Sequence, residues 1–204
     1  MKKGERRKQE LLKIAYKMFL TKGYENTSVD DIIEAAGIAK GTYYYYFESK
    51  EQTLEEVIDM MLDAMVEKAE MVQVQDIPVQ QKLIGVMMCF RPDESEATIG
   101  EALHNQENIV MHEKTNRKLI ERAVPILAKV AKQAVDEGIA ACDDLEERVK
   151  MILILSSALF DDNMGGQPNI DVFVDVIERI LYAKSGTFGF IRMLVEGENN
   201  EQEL

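Results

Sequence analysis

Two short helical patterns that meet at a glycine constrain this fold more than any other feature of the sequence. The first pattern follows Ser28, a residue type preferred at helix N-caps, and covers residues 29–36 with two aspartates in its first turn. Gly37 ends it, and a second pattern covers residues 40–47. A helix of about eight residues, a glycine-containing turn and another short helix together predict a helix-turn-helix.

The rest of the chain predicts an all-α protein. Apolar residues recur at helical spacing throughout, while the alternation typical of strands is scarce. We predict about nine helices, with the N-terminal three forming the helix-turn-helix unit. The predicted ranges are 11–19, 29–36, 40–47, 50–72, 79–90, 94–104, 107–137, 145–160 and 170–194.

The second short helix carries a run of four tyrosines, residues 43–46, in a chain with seven. At about 100° per residue, Tyr43 and Phe47 share one face, so we expect both to point into the core. We predict that Gly41, Thr42 and Tyr45 point away from the core, with Tyr44 and Tyr46 on the flanks of that outward face.

An outward face of this kind suits a DNA-reading helix. Glycine permits close approach, threonine can touch base edges, and hydroxyl and ammonium groups can bind phosphate oxygens. The predicted DNA-binding residues are Thr27, Ser28, Lys40, Gly41, Thr42, Tyr44, Tyr45, Tyr46 and Lys50. The alternative is that the tyrosines form a packing cluster or a protein interface.

The charge distribution is compatible with DNA binding although the chain has a net charge of -13. Residues 1–50 contain 10 basic and 7 acidic side chains, a net of +3, and the remainder contains 14 and 30, a net of -16. Screening acts over about 8 Å at physiological salt, so an acidic body held away from the phosphates would repel them weakly.

The segment GYENTSVDDIIEAAGIAKGTYYYYFESKE, residues 23–51, resembles the N-terminal domain of TetR-family (tetracycline-repressor-like) transcriptional regulators. The family pattern is a threonine near the second helix, A-G at its end, then K-G-T-L-Y-Y-H-F-x-S-K-E. The matching residues are Thr27, Ala36, Gly37, Lys40, Gly41, Thr42, Tyr44, Tyr45, Phe47, Ser49, Lys50 and Glu51. The sequence departs at Tyr43, usually leucine, at Tyr46, often histidine, and at Ile33, commonly alanine.

The resemblance implies a ligand-responsive transcriptional regulator of the repressor type, and not an enzyme. It implies a DNA-binding domain at residues 1–50 and a ligand-binding and dimerisation domain at residues 51–204. It further implies a palindromic operator as DNA partner, a homodimer formed through helices 145–160 and 170–183, and a small-molecule effector. The alternative is a helical enzyme or scaffold that has lost operator binding, which would have no need of the residues that match the family pattern.

The effector site is less defined in the sequence. Family members enclose their ligand between C-terminal helices, which here carry flexible methionines and aromatic rings. The candidate pocket residues are Met87, Phe90, His104, Met111, His112 and Phe160. Plain core filling is the alternative for each methionine.

Other functions have little support in the sequence. We find no nucleophile-elbow, dinucleotide or P-loop motif, and two histidines eight residues apart do not suggest a metal site. We therefore expect no cofactor and no metal. Without a signal peptide or an apolar run of about 18 residues, we expect a cytoplasmic protein that does not enter a membrane. The two cysteines, which lack a CxxC partner, are expected to be reduced thiols.

Overall fold

The computed structural model describes residues 3–90, 109–160 and 169–192, and within these ranges the fold is all-α. These described residues form eight helices, in agreement with the predicted fold class. They are α1 (Lys3–Lys22), α2 (Val29–Ala36), α3 (Lys40–Tyr46), α4 (Lys50–Gln73), α5 (Val79–Cys89), α6 (Ile109–Asp136), α7 (Leu145–Leu159) and α8 (Ile170–Ile180). The helix predicted at 94–104 lies outside the described residues. None of the described helices is long and apolar enough to cross a membrane.

The chain divides into two compact units, Met1–Lys68 with Met87–Leu119, and Ala69–Val86 with Ile120–Leu204. This division follows packing and not function. The functional boundary at residue 50 therefore stays a prediction.

The first unit has a continuous apolar core. Its buried side chains come from α1 to α4 and from the turn after α1: Leu11, Leu12, Ala15, Phe19, Tyr24, Ile32, Tyr43, Phe47, Leu54, Val57, Ile58, Leu62 and Met65. In α1 they recur every three or four residues, which gives this helix one inward stripe. Phe90, Met111 and Leu119 pack against the same core while partly exposed.

The second unit buries one face of α8 and the middle of α6. The end of α8 is fixed by backbone geometry, because Tyr182 adopts a φ of 49°, which an α-helix does not accommodate. The helix therefore ends at Ile180, so the prediction of a helix over 170–194 was too long, and the helix also ends three residues before the predicted dimer helix 170–183 does. Gly186 and Phe188 follow the helix, and their backbone N–H groups donate to the buried carboxylate of Glu178 on α8, at 3.1 Å and 3.0 Å.

Candidate nucleic-acid interface

The start of α2 is fixed by a reciprocal pair of side chains. The Asp31 backbone N–H donates to the Ser28 hydroxyl at 3.1 Å, and the Ser28 backbone N–H donates to the Asp31 carboxylate at 2.9 Å. This capping box satisfies two donors that a helix N-terminus leaves free. The hydrogen bonds from Ser28 also hold the pKa of Asp31 below its usual range.

The end of α2 is fixed by Gly37, which has a φ of 60° and donates its backbone N–H to Ile33 and Glu34. Nothing lies within 4 Å of the position that a Cβ would take there, so the backbone conformation and not crowding makes glycine suitable. The two ends leave a short turn into α3, as the sequence predicted.

The inward residues of α3 are those that the helical spacing predicted. Tyr43 and Phe47 are fully buried, and their ring centroids lie 5.4 Å apart. Ala39 precedes α3 without a side-chain cap, and α3 has only seven residues. Such a short helix is marginal on its own, so these two rings hold it against the core.

The outward face of α3, defined here as Gly41, Tyr44 and Tyr45, is open to solvent. Tyr45 is 81% exposed and Tyr44 is 47% exposed. A Cβ added to Gly41 would meet no atom within 4 Å, so a macromolecule could approach the backbone here closely. The face combines apolar ring area with phenolic hydroxyls, which can donate to phosphate oxygens.

Two of the predicted residues of α3, Thr42 and Tyr46, are half-buried. Thr42 was predicted to point outward but lies at the edge of the outward face, whereas Tyr44, predicted as a flank, is exposed. The Tyr46 ring meets the Tyr45 ring edge-on, with centroids 5.0 Å apart, and its hydroxyl lies 3.9 Å from a Cβ built on Gly4 of α1. Tyr46 therefore adjoins both α1 and the outward face.

Two lysines bracket the outward face in sequence. The exposed Lys40 ammonium lies 3.1 Å from the Asp30 carboxylate, whose hydrogen bond raises the pKa of Lys40. The Lys50 ammonium donates to the Tyr24 backbone carbonyl at 2.9 Å and lies 4.1 Å from the centroid of the Tyr24 ring. Lys50 is thus held in place at the start of α4 while still partly exposed, an arrangement that suits a phosphate contact.

Thr27 is placed differently from its prediction. Its side chain is fully buried, and its hydroxyl donates to the Gly23 carbonyl at 2.8 Å. Since this hydroxyl is used within the turn between α1 and α2, we assign Thr27 to the fold and not to DNA contact. Ser28 is exposed, although its hydroxyl serves the capping box. The remaining DNA-binding residues stay predictions.

The predicted pocket residues fall in both compact units. Met87, Phe90, Met111 and His112 are half-buried members of the first unit, whereas Phe160 belongs to the second and packs edge-on against Phe173 at 5.3 Å. His104 lies outside the described residues. The pocket therefore stays a prediction.

Reactive groups in the described part of the chain suggest no other site. No group of three or more His, Cys, Asp and Glu residues there could hold a metal ion. Cys89 and Cys142 are free thiols, as predicted, and burial raises the pKa of both.

Sequence reasoning missed the polar contacts behind α3. The Tyr43 hydroxyl lies 2.6 Å from the Thr53 hydroxyl of α4, and both side chains are fully buried. The signal in the sequence is the tyrosine at a position where the resembled family usually has leucine.

Comparison with known proteins agrees with this geometry. Residues 11–57 match the family model described as bacterial regulatory proteins, tetR family. The chain is 38% identical over 82 residues to the HTH-type transcriptional repressor KstR2 of Mycolicibacterium smegmatis, a match that covers 40% of each protein. It is 22% identical over 160 residues to the HTH-type transcriptional regulator YhgD of Bacillus subtilis, covering 76% of this chain and 83% of YhgD.

A solved structure shares the fold. The crystal structure of a TetR-family transcriptional regulator from Mesorhizobium loti matches 89% of this chain and 94% of its own, with a TM-score of 0.59 and 18% identity. At that identity the likeness concerns the fold alone. The chain spans 40% of the length of KstR2 in this match.

Proposed function

We propose that the chain, whose residues 11–57 match the tetR family of bacterial regulatory proteins, is a transcriptional regulator that binds operator DNA as a homodimer. The observation that carries this proposal is the outward face of α3, with Tyr45 81% exposed on a helix whose opposite side is fully buried. Tyr44 beside it is 47% exposed, so the two rings together form an exposed aromatic patch, and patches of this kind mark interaction sites.

Each group at this face has a role in the proposal. Lys40 and Lys50 contact phosphates and so position the helix-turn-helix unit on the DNA, and the hydroxyls of Tyr44 and Tyr46 do the same. Thr42 and Tyr45 contact base edges in the major groove, where base pairs differ in their donor and acceptor patterns. Gly41 lets the backbone of α3 come close to the DNA.

The proposed homodimer uses α7 and α8. Along α7, four apolar side chains at helical spacing are 39–55% exposed: Met151, Ile154, Leu155 and Leu159. Val172 on α8 is 57% exposed. Apolar faces of this extent mark interaction surfaces, and a second copy of the chain would cover this one.

The proposal also includes release of DNA by a small-molecule effector, and it includes no catalytic step. An effector can shift the regulator between states only through different affinities for them, commonly by about 1–3 kcal/mol. DNA affinity should then fall by about 5- to 150-fold at saturation. By reciprocity, DNA should weaken effector binding by the same factor.

The test is selection of duplexes from a random pool by the full-length chain. A symmetric dimer with two reading helices should return a near-palindrome whose half-sites lie one helical turn, roughly 34–36 Å, or a multiple of it apart. Recovery of only asymmetric sites or single half-sites would contradict the dimeric arrangement. Recovery of no enriched sequence would contradict specific DNA binding altogether.

A further inference from the structure

Behind the outward face, a hydroxyl chain links α3 to the first turns of α4. The Tyr43 hydroxyl lies 2.6 Å from the Thr53 hydroxyl, and the Thr53 hydroxyl donates to the Ser49 backbone carbonyl at 3.0 Å. The Ser49 carbonyl also lies 3.4 Å from the Tyr43 hydroxyl. Since a hydroxyl has one proton and the Thr53 contact to Ser49 is the shorter one, the distances favour Thr53 as donor to Ser49 and Tyr43 as donor to Thr53. Both side chains are fully buried.

This arrangement is more than core filling needs. A leucine or phenylalanine would fill the space of the Tyr43 ring without bringing a polar group inside. Burying a hydroxyl costs free energy unless it is hydrogen-bonded, and here both hydroxyls have partners. A phenol keeps its proton at neutral pH, and desolvation raises the pKa of Tyr43 further.

The hydrogen bond supplies a direction that apolar packing lacks. Phe47 holds α3 through ring contacts, which tolerate sliding and small rotations. The Tyr43 hydroxyl has to meet the Thr53 hydroxyl on α4 and the Ser49 carbonyl just before α4, which restricts how α3 rotates about its own axis. Tyr44 and Tyr45 follow Tyr43 directly, so any rotation of α3 moves both rings.

We propose that the Tyr43–Thr53 hydroxyl pair is a positioning element that sets the rotation of α3 against α4. The inference rests on the proposed DNA-binding function. It adds that this pair controls sequence discrimination, because it fixes where the outward face of α3 lies relative to Lys50 at the start of α4. Phosphate contacts from the lysines tolerate a small rotation of α3, whereas base contacts do not.

Substitutions that remove one hydroxyl at a time test the pair. Tyr43→Phe keeps the ring and leaves Thr53 bonded to Ser49, and Thr53→Val keeps the side-chain shape. Thr53→Ser is the matched control, because it retains the hydroxyl and loses only a methyl group. Each full-length variant is titrated with a duplex selected by the wild-type chain and with a scrambled duplex of the same composition.

We expect Tyr43→Phe and Thr53→Val to weaken binding of the selected duplex about fivefold, the equivalent of about 1 kcal/mol for one hydrogen bond. Binding of the scrambled duplex should change less than about twofold, and Thr53→Ser should behave like the wild type. The double variant should be no weaker than Thr53→Val. An unchanged ratio of the two dissociation constants, whether neither duplex or both duplexes bind more weakly, would overturn the proposal.

A measurement without DNA separates this inference from the proposed function. The Phe47 backbone N–H donates to the Tyr43 carbonyl at 3.0 Å and reports on the last turn of α3. In Tyr43→Phe its hydrogen exchange should be about fivefold faster, while the amides of α7 in the second unit exchange as before. Unchanged exchange at Phe47 would overturn the positioning role even if DNA binding were specific. Failure of the wild-type chain to select any duplex would instead contradict the proposed function.

Discussion

Two ion pairs tie α4 to α6 within the first unit, and we predict that reversing one of them measurably destabilises that unit. Lys114 lies 2.8 Å from Glu55, and Lys118 lies 2.8 Å from Asp59. The partners are four residues apart on both helices, so the two pairs stand one helical turn from each other. The side chains are about a third to a half exposed, so the charges are only partly screened.

The expected magnitude follows from this exposure. Exposed ion pairs contribute about 0.2–1 kcal/mol, and like charges at the same distance destabilise by a similar amount. Lys114→Glu loses one pair and faces Glu55 with a second carboxylate, so it should cost about 1 kcal/mol. For a chain of this length that lowers the melting temperature by about 2–4 °C.

The assay is thermal unfolding of Lys114→Glu, Glu55→Lys and the exchanged double variant at low and at high salt. The double variant restores opposite charges and should recover at least half of the loss, and high salt should reduce the difference. Lys132 and Asp136 form a matched control, since they lie 2.8 Å apart within α6 and are more exposed. A loss of equal size in Lys132→Glu, or no recovery in the exchanged variant, would refute this reasoning.

Three further predictions concern other parts of the molecule. Lys50→Ala should weaken binding to every duplex and reduce the slope of log K against log salt by about 0.9, measured by fluorescence anisotropy, and an unchanged slope would exclude a phosphate contact. Ile154→Glu should convert a dimer to a monomer in light scattering, because it places a charge in the exposed apolar face of α7, and a persistent dimer would place the interface elsewhere. The lowered pKa of Asp31 predicts a stabilisation that is present above its unfolded-state pKa and is lost as pH falls through its folded-state pKa. Asp31→Asn should therefore remove part of the acid-induced decrease in melting temperature. Melting temperatures of variant and wild type that fall in parallel with pH would contradict this.

The boundaries of α2 could be predicted from the sequence because local chemistry determines them. Ser28 can cap a helix whatever surrounds it, and Gly37 can adopt the left-handed conformation that ends one. The inward placement of Tyr43 and Phe47 followed from their spacing of four residues and is confirmed. These inferences need only contacts between residues close in sequence.

Other features depended on contacts that spacing does not determine. Thr27 stands one residue before the N-cap, and its side chain could point to solvent or into the turn, where the Gly23 carbonyl accepts its hydroxyl. The end of α8 depends on the backbone of Tyr182, which adopts a left-handed conformation that tyrosine rarely takes, so the sequence does not predict it. The partner of the Tyr43 hydroxyl lies ten residues away on another helix, so only the folded structure identifies it.

The central claim, that the outward face of α3 reads DNA sequence, is tested most directly by one ratio. The dissociation constants of the full-length chain for a selected duplex and for a scrambled duplex of equal composition are measured at the same physiological salt. Specific binders differ by about 10³-fold or more between such duplexes, and we predict a ratio in that range for this protein. A ratio within about threefold of one would mean that the exposed tyrosines and lysines bind DNA only through its charge, and would contradict the proposed function.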